Sequence, residues 1–91
     1  MGDILGKRRS VFEIRMDILQ ALVNKKDRIL ALMYATNTCF NTFETQWKIL
    51  SKNKLVEKVR VQEHNLYLIT PAGRGILRRY LKLRKDSEEV K

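Results

Sequence analysis

The stretch Thr36 to Asn53, TNTCFNTFETQWKILSKN, decides the fold. Phe40, Phe43, Trp47 and Leu50 fall at i, i+3, i+7 and i+10, so a 3.6-residue period sets them on one stripe facing a core. A step of 100° per residue puts Asn41, Thr45, Lys48 and Lys52 on the opposite side, flanked by Thr42, Gln46 and Ile49. The reading is a helix with one apolar edge and one cationic, hydrogen-bonding edge that carries no carboxylate. An isolated segment of this kind is equally an ordinary solvated surface helix, so the rest of the chain must decide between the two.

Working outward, Ser10 and Glu13 have the spacing of a capping box, in which each side chain satisfies the other's unpaired amide. A first helix is expected over Val11–Val23, with Phe12, Met16, Leu19 and Val23 on one stripe and Val11, Ile14, Ile18 and Leu22 on another. More than half its circumference is apolar, which calls for contact on two sides. Asn24-Lys25-Lys26 interrupts the pattern, and Asp27 is the expected N-cap of a short second helix through Ile29, Leu32, Met33 and Tyr34. Asn37 tolerates a left-handed turn before the quoted helix, which Thr38 or Cys39 begins.

Beyond it, Asn53 is expected as the left-handed stop. Leu55–Val61 and Leu66–Ile69 are β-favouring runs joined by the polar tetrad Gln62-Glu63-His64-Asn65 and read as a hairpin. Thr70-Pro71 supplies an N-cap and a proline at the first helical position, where its missing N–H is no loss. The last helix is expected from Pro71 to about Lys85. Gly73 and Gly75 each weaken its start by roughly 1 kcal/mol relative to alanine, so close packing is the expected reason for both. Residues 1–9 read as a flexible basic arm with Lys7, Arg8 and Arg9, residues 10–85 as the domain, and 86–91 as a polar tail.

Composition narrows the function. Ninety-one residues suffice for one small domain, and a net charge of +9 favours a polyanionic partner, nucleic acid before a membrane surface. No run of 18 apolar residues and no secretory leader is apparent. Gly6 occupies the Ser/Thr position of a myristoylation pattern, so that motif fails. A cytoplasmic, nucleoid-associated location is expected. One cysteine, Cys39, and one histidine, His64, allow neither an intrachain disulfide nor a three-ligand Cys/His metal site. Cys39 is expected to be a small buried residue. No catalytic constellation or phosphate loop can be assembled, so neither an enzyme nor a cofactor is expected.

The order helix-helix-helix-hairpin-helix, mainly α with a small β-hairpin, is that of a winged helix-turn-helix. In that architecture the third helix enters the major groove of duplex DNA and the wing reaches the backbone or minor groove. Thr42, Thr45, Gln46 and Lys48 are the expected base readers, with Gln46 suited to adenine and Lys48 to guanine. Asn41 and Lys52 are expected on phosphates, and Lys58, Arg60 and His64 on the wing. The alternative is a winged helix that binds an acidic protein partner. On the last helix, Ile76, Tyr80 and Leu83 form one stripe and Leu77 and Leu81 another. The Ile76, Tyr80 and Leu83 stripe is expected to meet a second copy, together with the surplus apolar face of the first helix, in a homodimer.

Leu32-Met33-Tyr34, the spacing Phe43-x-x-x-Trp47-x-x-Leu50-x-x-x-x-Leu55-Val56, and Tyr67-Leu68-Ile69-Thr70-Pro71-Ala72-Gly73 carry a resemblance. Over roughly Ile14 to Leu83 the chain resembles the small archaeal winged-helix proteins of the ten-kilodalton Sulfolobus chromatin-protein type. The resemblance implies sequence-tolerant or operator DNA binding by a homodimer joined through the C-terminal helix. The chain departs from those relatives at Lys54, where they usually place glycine, and in a last helix much shorter than their coiled-coil arm. A compact dimer regulating a few promoters is therefore as consistent with the sequence as a chromatin role.

Overall fold

The computed structural model describes residues 9–89, with side chains through residue 85. Four helices and one hairpin follow in chain order: α1 (Val11–Val23), α2 (Ile29–Thr36), α3 (Phe40–Lys52), β1 (Val56–Val61), β2 (His64–Ile69) and α4 (Pro71–Glu89). This is the order expected from the sequence, and α1 has the expected bounds. The Ser10–Glu13 capping box is present, with Glu13 N donating to Ser10 Oγ at 3.1 Å and Ser10 N to Glu13 Oε1 at 3.0 Å.

The first three helices leave through one kind of turn. Each exit has a residue of positive φ: Lys25 (68°), Asn37 (55°) and Lys54 (61°). Its amide donates to the carbonyl three residues back, and the following amide donates to the carbonyl five residues before it, the two bonds of a Schellman motif. After α3 the left-handed residue is Lys54 rather than Asn53. Asn53 keeps φ at −90°, and its side chain donates to Ile49 O at 2.8 Å. Asp27 is likewise not the cap of α2. Arg28 holds that position without a side-chain bond, while the Asp27 carbonyl accepts from Tyr67 N at 3.0 Å and ties the α1–α2 linker to the hairpin.

In the hairpin Val56 pairs with Ile69 and Val61 with His64, so the turn is only Gln62-Glu63 and both His64 and Asn65 lie in β2. Gln62 takes φ 56° at the first turn position, where a II′ turn ordinarily uses glycine. Strand alternation puts Val56, Lys58, Arg60, Asn65 and Tyr67 on one face, and Val59, Val61, His64, Leu66 and Leu68 on the other. The first face covers the core at Val56 and Tyr67. The second is open, with Val59, Val61 and Leu68 exposed.

Thr70 caps α4 as expected. Gly73 N donates to Thr70 Oγ1 at 3.1 Å, and that hydroxyl donates to Lys54 O at 2.8 Å. The helix runs past the expected Lys85 to Glu89 because no glycine, proline or left-handed residue interrupts it there. Of the two glycines only Gly73 is enforced by packing, since a Cβ at Gly73 would stand 2.2 Å from Leu55 O, whereas one at Gly75 meets nothing within 4 Å.

The core joins Met16, Ile18, Leu19 and Leu22 of α1 to Leu32, Phe43, Trp47, Leu50, Val56, Tyr67 and Leu77. Burial of each large apolar side chain contributes roughly 1.5–3 kcal/mol. Three aromatic rings fix α3 against the wing. Phe43 stacks on Trp47 with centroids 5.7 Å apart, and Tyr67 meets Trp47 edge-on at 4.9 Å and Phe43 at 6.2 Å. Buried Thr36, at the helix-turn-helix bend, is satisfied by donating to Leu32 O at 2.7 Å and by Thr38 Oγ1 at 3.0 Å.

Candidate nucleic-acid interface

α3 buries Phe43, Gln46, Trp47 and Leu50 and leaves Asn41, Thr45, Lys48 and Lys52 exposed, the polarity expected from its period. Trp47 and the base of the wing hold this exposed face beside β1. Glu44, Lys48, Ser51 and Lys52 from α3 and Glu57 and Lys58 from β1 line one open groove between helix and strand. Lys58 Nζ lies 5.6 Å from the Tyr67 ring centroid, within cation–π range. Arg60 stands one strand repeat farther out on the same face, opposite Asn65. Four cations, Lys48, Lys52, Lys58 and Arg60, thus follow the helix and continue onto the wing, all exposed.

Several expected site residues sit elsewhere. Gln46 is buried, 5% exposed, and its Oε1 accepts from Arg15 Nε at 2.7 Å, so it joins α3 to α1 instead of facing outward. A buried amide left unpaired is unfavourable, and the Arg15 bond answers that need. Thr42 is half-buried, with its hydroxyl 3.4 Å from Cys39 Sγ. His64 is exposed but pairs with Val61, on the wing face opposite Lys58 and Arg60. It lines a separate groove with Arg28, Ile29, Leu30 and Glu63.

One member of the expected core stripe, Phe40, is exposed, and so is Cys39, which was expected to be buried. Phe40 is 52% exposed, because at the first position of α3 nothing packs over it. Cys39 is the N-cap of α3 and free, so its expected burial does not hold. Its thiol is held below the usual cysteine range, mainly by the hydrogen bond with the Thr42 side chain and next by the Thr42 backbone. Burial, and secondarily the charge of Glu44, push the Tyr67 phenol above its ordinary value.

The sequence did not single out two contributors, Glu44 and Arg15, and a third, Arg9, stands differently from its expectation. Glu44 lies on the flank of α3 that turns toward the wing, and its helical phase alone could have found it. Arg15 carried no signal, because its partner is thirty-one positions away. Arg9, expected in a flexible arm, is docked: Nη1 lies 2.6 Å from Asp17 Oδ2, and Nη2 donates to the carbonyls of Thr36 at 2.8 Å and Asn37 at 3.3 Å. It therefore joins α1 to the C-terminal end of α2, where a cation suits the helix dipole. Lys7 and Arg8 of the expected arm lie outside the described residues.

On α4, Leu77 is buried, and Ile76 and Tyr80 are half-buried against this chain's own core. Tyr80 meets Phe12 edge-on at 5.4 Å and has the Arg84 guanidinium 5.6 Å from its ring centroid. The stripe expected to face a second copy is thus partly used at home. Leu83 (68% exposed) remains, together with Val11 and Phe12 of α1.

Among the described residues no helix is long and apolar enough to cross a membrane, and no group of three His, Cys, Asp or Glu side chains is arranged to hold a metal. A comparison with curated proteins returned no match. Among solved structures, the chain is similar to Sso10a-2, a DNA-binding protein from Sulfolobus solfataricus. The TM-score is 0.67 at 21% identity, over 90% of this chain and 88% of that one. At that identity the likeness speaks for the fold. The winged helix-turn-helix family model matches residues 8–88, nearly the whole of the chain, and the chain belongs to that family.

Proposed function

We propose that this domain binds duplex DNA by occupancy, without enzymatic chemistry, and acts as a transcriptional regulator. The observation that carries the reading is the cationic track of Lys48, Lys52 and Lys58 along one open groove between α3 and β1, continued onto the wing by Arg60. With α3 in the major groove, Thr45 and Lys48 address base edges, Thr42 assists from the flank, and Asn41 and Lys52 meet phosphates. Lys58 and Arg60 contact the backbone beside the minor groove. The DNA-binding description of Sso10a-2 supports this reading. A protein interface for an acidic partner is less well served, because no large apolar side chain stands at the centre of the Asn41, Thr45, Lys48 and Lys52 face.

The test is duplex affinity measured against salt. Three phosphate-neutralising cations per protomer, Lys52, Lys58 and Arg60, predict that log K falls against log salt with a slope of roughly −3 per protomer. A slope near zero, or tighter binding to an acidic polypeptide than to duplex of equal charge, would refute the reading.

A further inference from the structure

Glu44 is the one carboxylate that α3 contributes to the groove beside β1, where Glu57 of the strand is the other and three lysines stand with them. It lies in the first half of α3, half-buried, on the flank that lines the groove with Lys48, Lys52 and Lys58. Lys48 stands one helical turn beyond it, the favourable order for an intrahelical ion pair. Yet among the described residues no Lys, Arg or His nitrogen lies within 4.0 Å of its carboxylate, and no hydrogen bond holds it. Nor is either oxygen sealed from solvent without a partner. Glu44 thus offers two open acceptors inside a groove lined by three lysines. Against the phosphates of a duplex such a group is repelled at every sequence.

We propose that Glu44 is a specificity-determining residue of the DNA-binding face, accepting a hydrogen bond from the N4 amino group of a cytosine in the major groove. This inference rests on the duplex-binding reading above. Of the major-groove edges, guanine presents the acceptors O6 and N7, and thymine presents O4; each repels a carboxylate. Adenine and cytosine each offer an amino donor. In the duplex adenine's amino group has an acceptor on each side, its own N7 and the O4 of the paired thymine, whereas cytosine's has one on a single side, the O6 of the paired guanine, and only C5–H on the other. Glu44 therefore weakens binding to most sequences and is best compensated where a cytosine faces it. Its effect is to widen the gap between a chosen site and random DNA rather than to add affinity.

The experiment selects bound duplexes from a random pool with the wild-type chain, Glu44→Gln and Glu44→Ala, then measures affinity for the recovered site and for a random duplex. The wild type should recover a cytosine at one fixed position. Both variants should lose that preference while keeping the other positions, bind random duplex more tightly, and show a selected-to-random ratio lower by roughly 5- to 100-fold. Glu44→Gln is isosteric at a half-exposed position, so an unchanged unfolding midpoint shows that the fold is intact. The same cytosine recovered by both variants at an unchanged ratio overturns the assignment and leaves duplex binding standing. Equal tightening on all sequences also overturns it and reduces Glu44 to general repulsion. A wild type with no salt-dependent affinity for any duplex overturns both readings.

Discussion

Gly73 has no room for a methyl group. Its Cβ would lie 2.2 Å from the Leu55 carbonyl and 2.8 Å from Ile69 Cγ1, and that carbonyl already accepts from Thr70 N at 3.1 Å. Gly73→Ala therefore forces the start of α4 away from the wing and should destabilise the domain by roughly 1–3 kcal/mol. Gly75→Ala, with open space around it, should stabilise by about 0.5–1 kcal/mol through helix propensity. Urea unfolding of the two variants checks the pair, and equal effects would be wrong for both. The two glycines look alike in the sequence because what separates them is a backbone atom eighteen positions upstream. The exit of α3 is a similar case: a left-handed stop was readable near Asn53, but the residue that bears it is Lys54. Left-handed backbone at a non-glycine residue is unfavourable by roughly 1–2 kcal/mol, partly offset by the greater freedom glycine has when unfolded. Lys54→Gly should thus raise stability by up to about 1 kcal/mol, whereas Asn53→Gly should bring no gain. Thermal melting distinguishes them.

Among the elements, α3 and the wing divide the work of the proposed interface. Thr45 and Lys48 project from the exposed centre of α3, whereas Arg60 lies out along β1 opposite Asn65, where it is proposed to meet the DNA backbone. Thr45→Ala should narrow the preference for a selected site over random DNA, by up to about 1 kcal/mol for a single hydroxyl contact. Arg60→Ala should instead weaken all sequences together and reduce the magnitude of the salt slope by about one. Titration of both variants at several salt concentrations tests the division, which fails if the two substitutions act alike. The period of α3 revealed which side chains are exposed at its centre, since Asn41, Thr45, Lys48 and Lys52 all emerge as expected. It could not reveal what covers the flanks. Gln46 is hidden because α1 brings Arg15 over it, and Phe40 is exposed because cover runs out at the first turn. Such facts belong to tertiary packing, and a helix's own pattern carries no record of its neighbours. The strand pair shows the same limit, since a turn of two residues rather than four sends His64 to the opposite face from Arg60.

At the scale of the whole molecule, Val11, Phe12 and Leu83 remain exposed around the Phe12–Tyr80 contact between α1 and α4. A two-fold homodimer through this surface would cover them and set two copies of α3 for a palindromic site. Sedimentation equilibrium at micromolar concentration should give twice the 10.8 kDa chain mass. Leu83→Glu should return the single mass with the chain still folded, its unfolding midpoint lowered only by the lost association and no longer dependent on protein concentration, because Leu83 makes little use of its own core. A wild-type mass that stays single as concentration rises rules the dimer out. The open face of the wing poses a different problem. Val59, Val61 and Leu68 lie exposed on a hairpin whose strand β1 is paired on one side only, so its other edge presents free amides and carbonyls. A ribbon of that kind is a template for strand addition by a neighbouring molecule, and charge along the edge is the usual defence. Glu57, Lys58 and Arg60 supply that charge, so the residues proposed to hold DNA also keep the free protein from forming intermolecular sheets. Exchanging Lys58 and Arg60 for valine would then release aggregation as well as DNA.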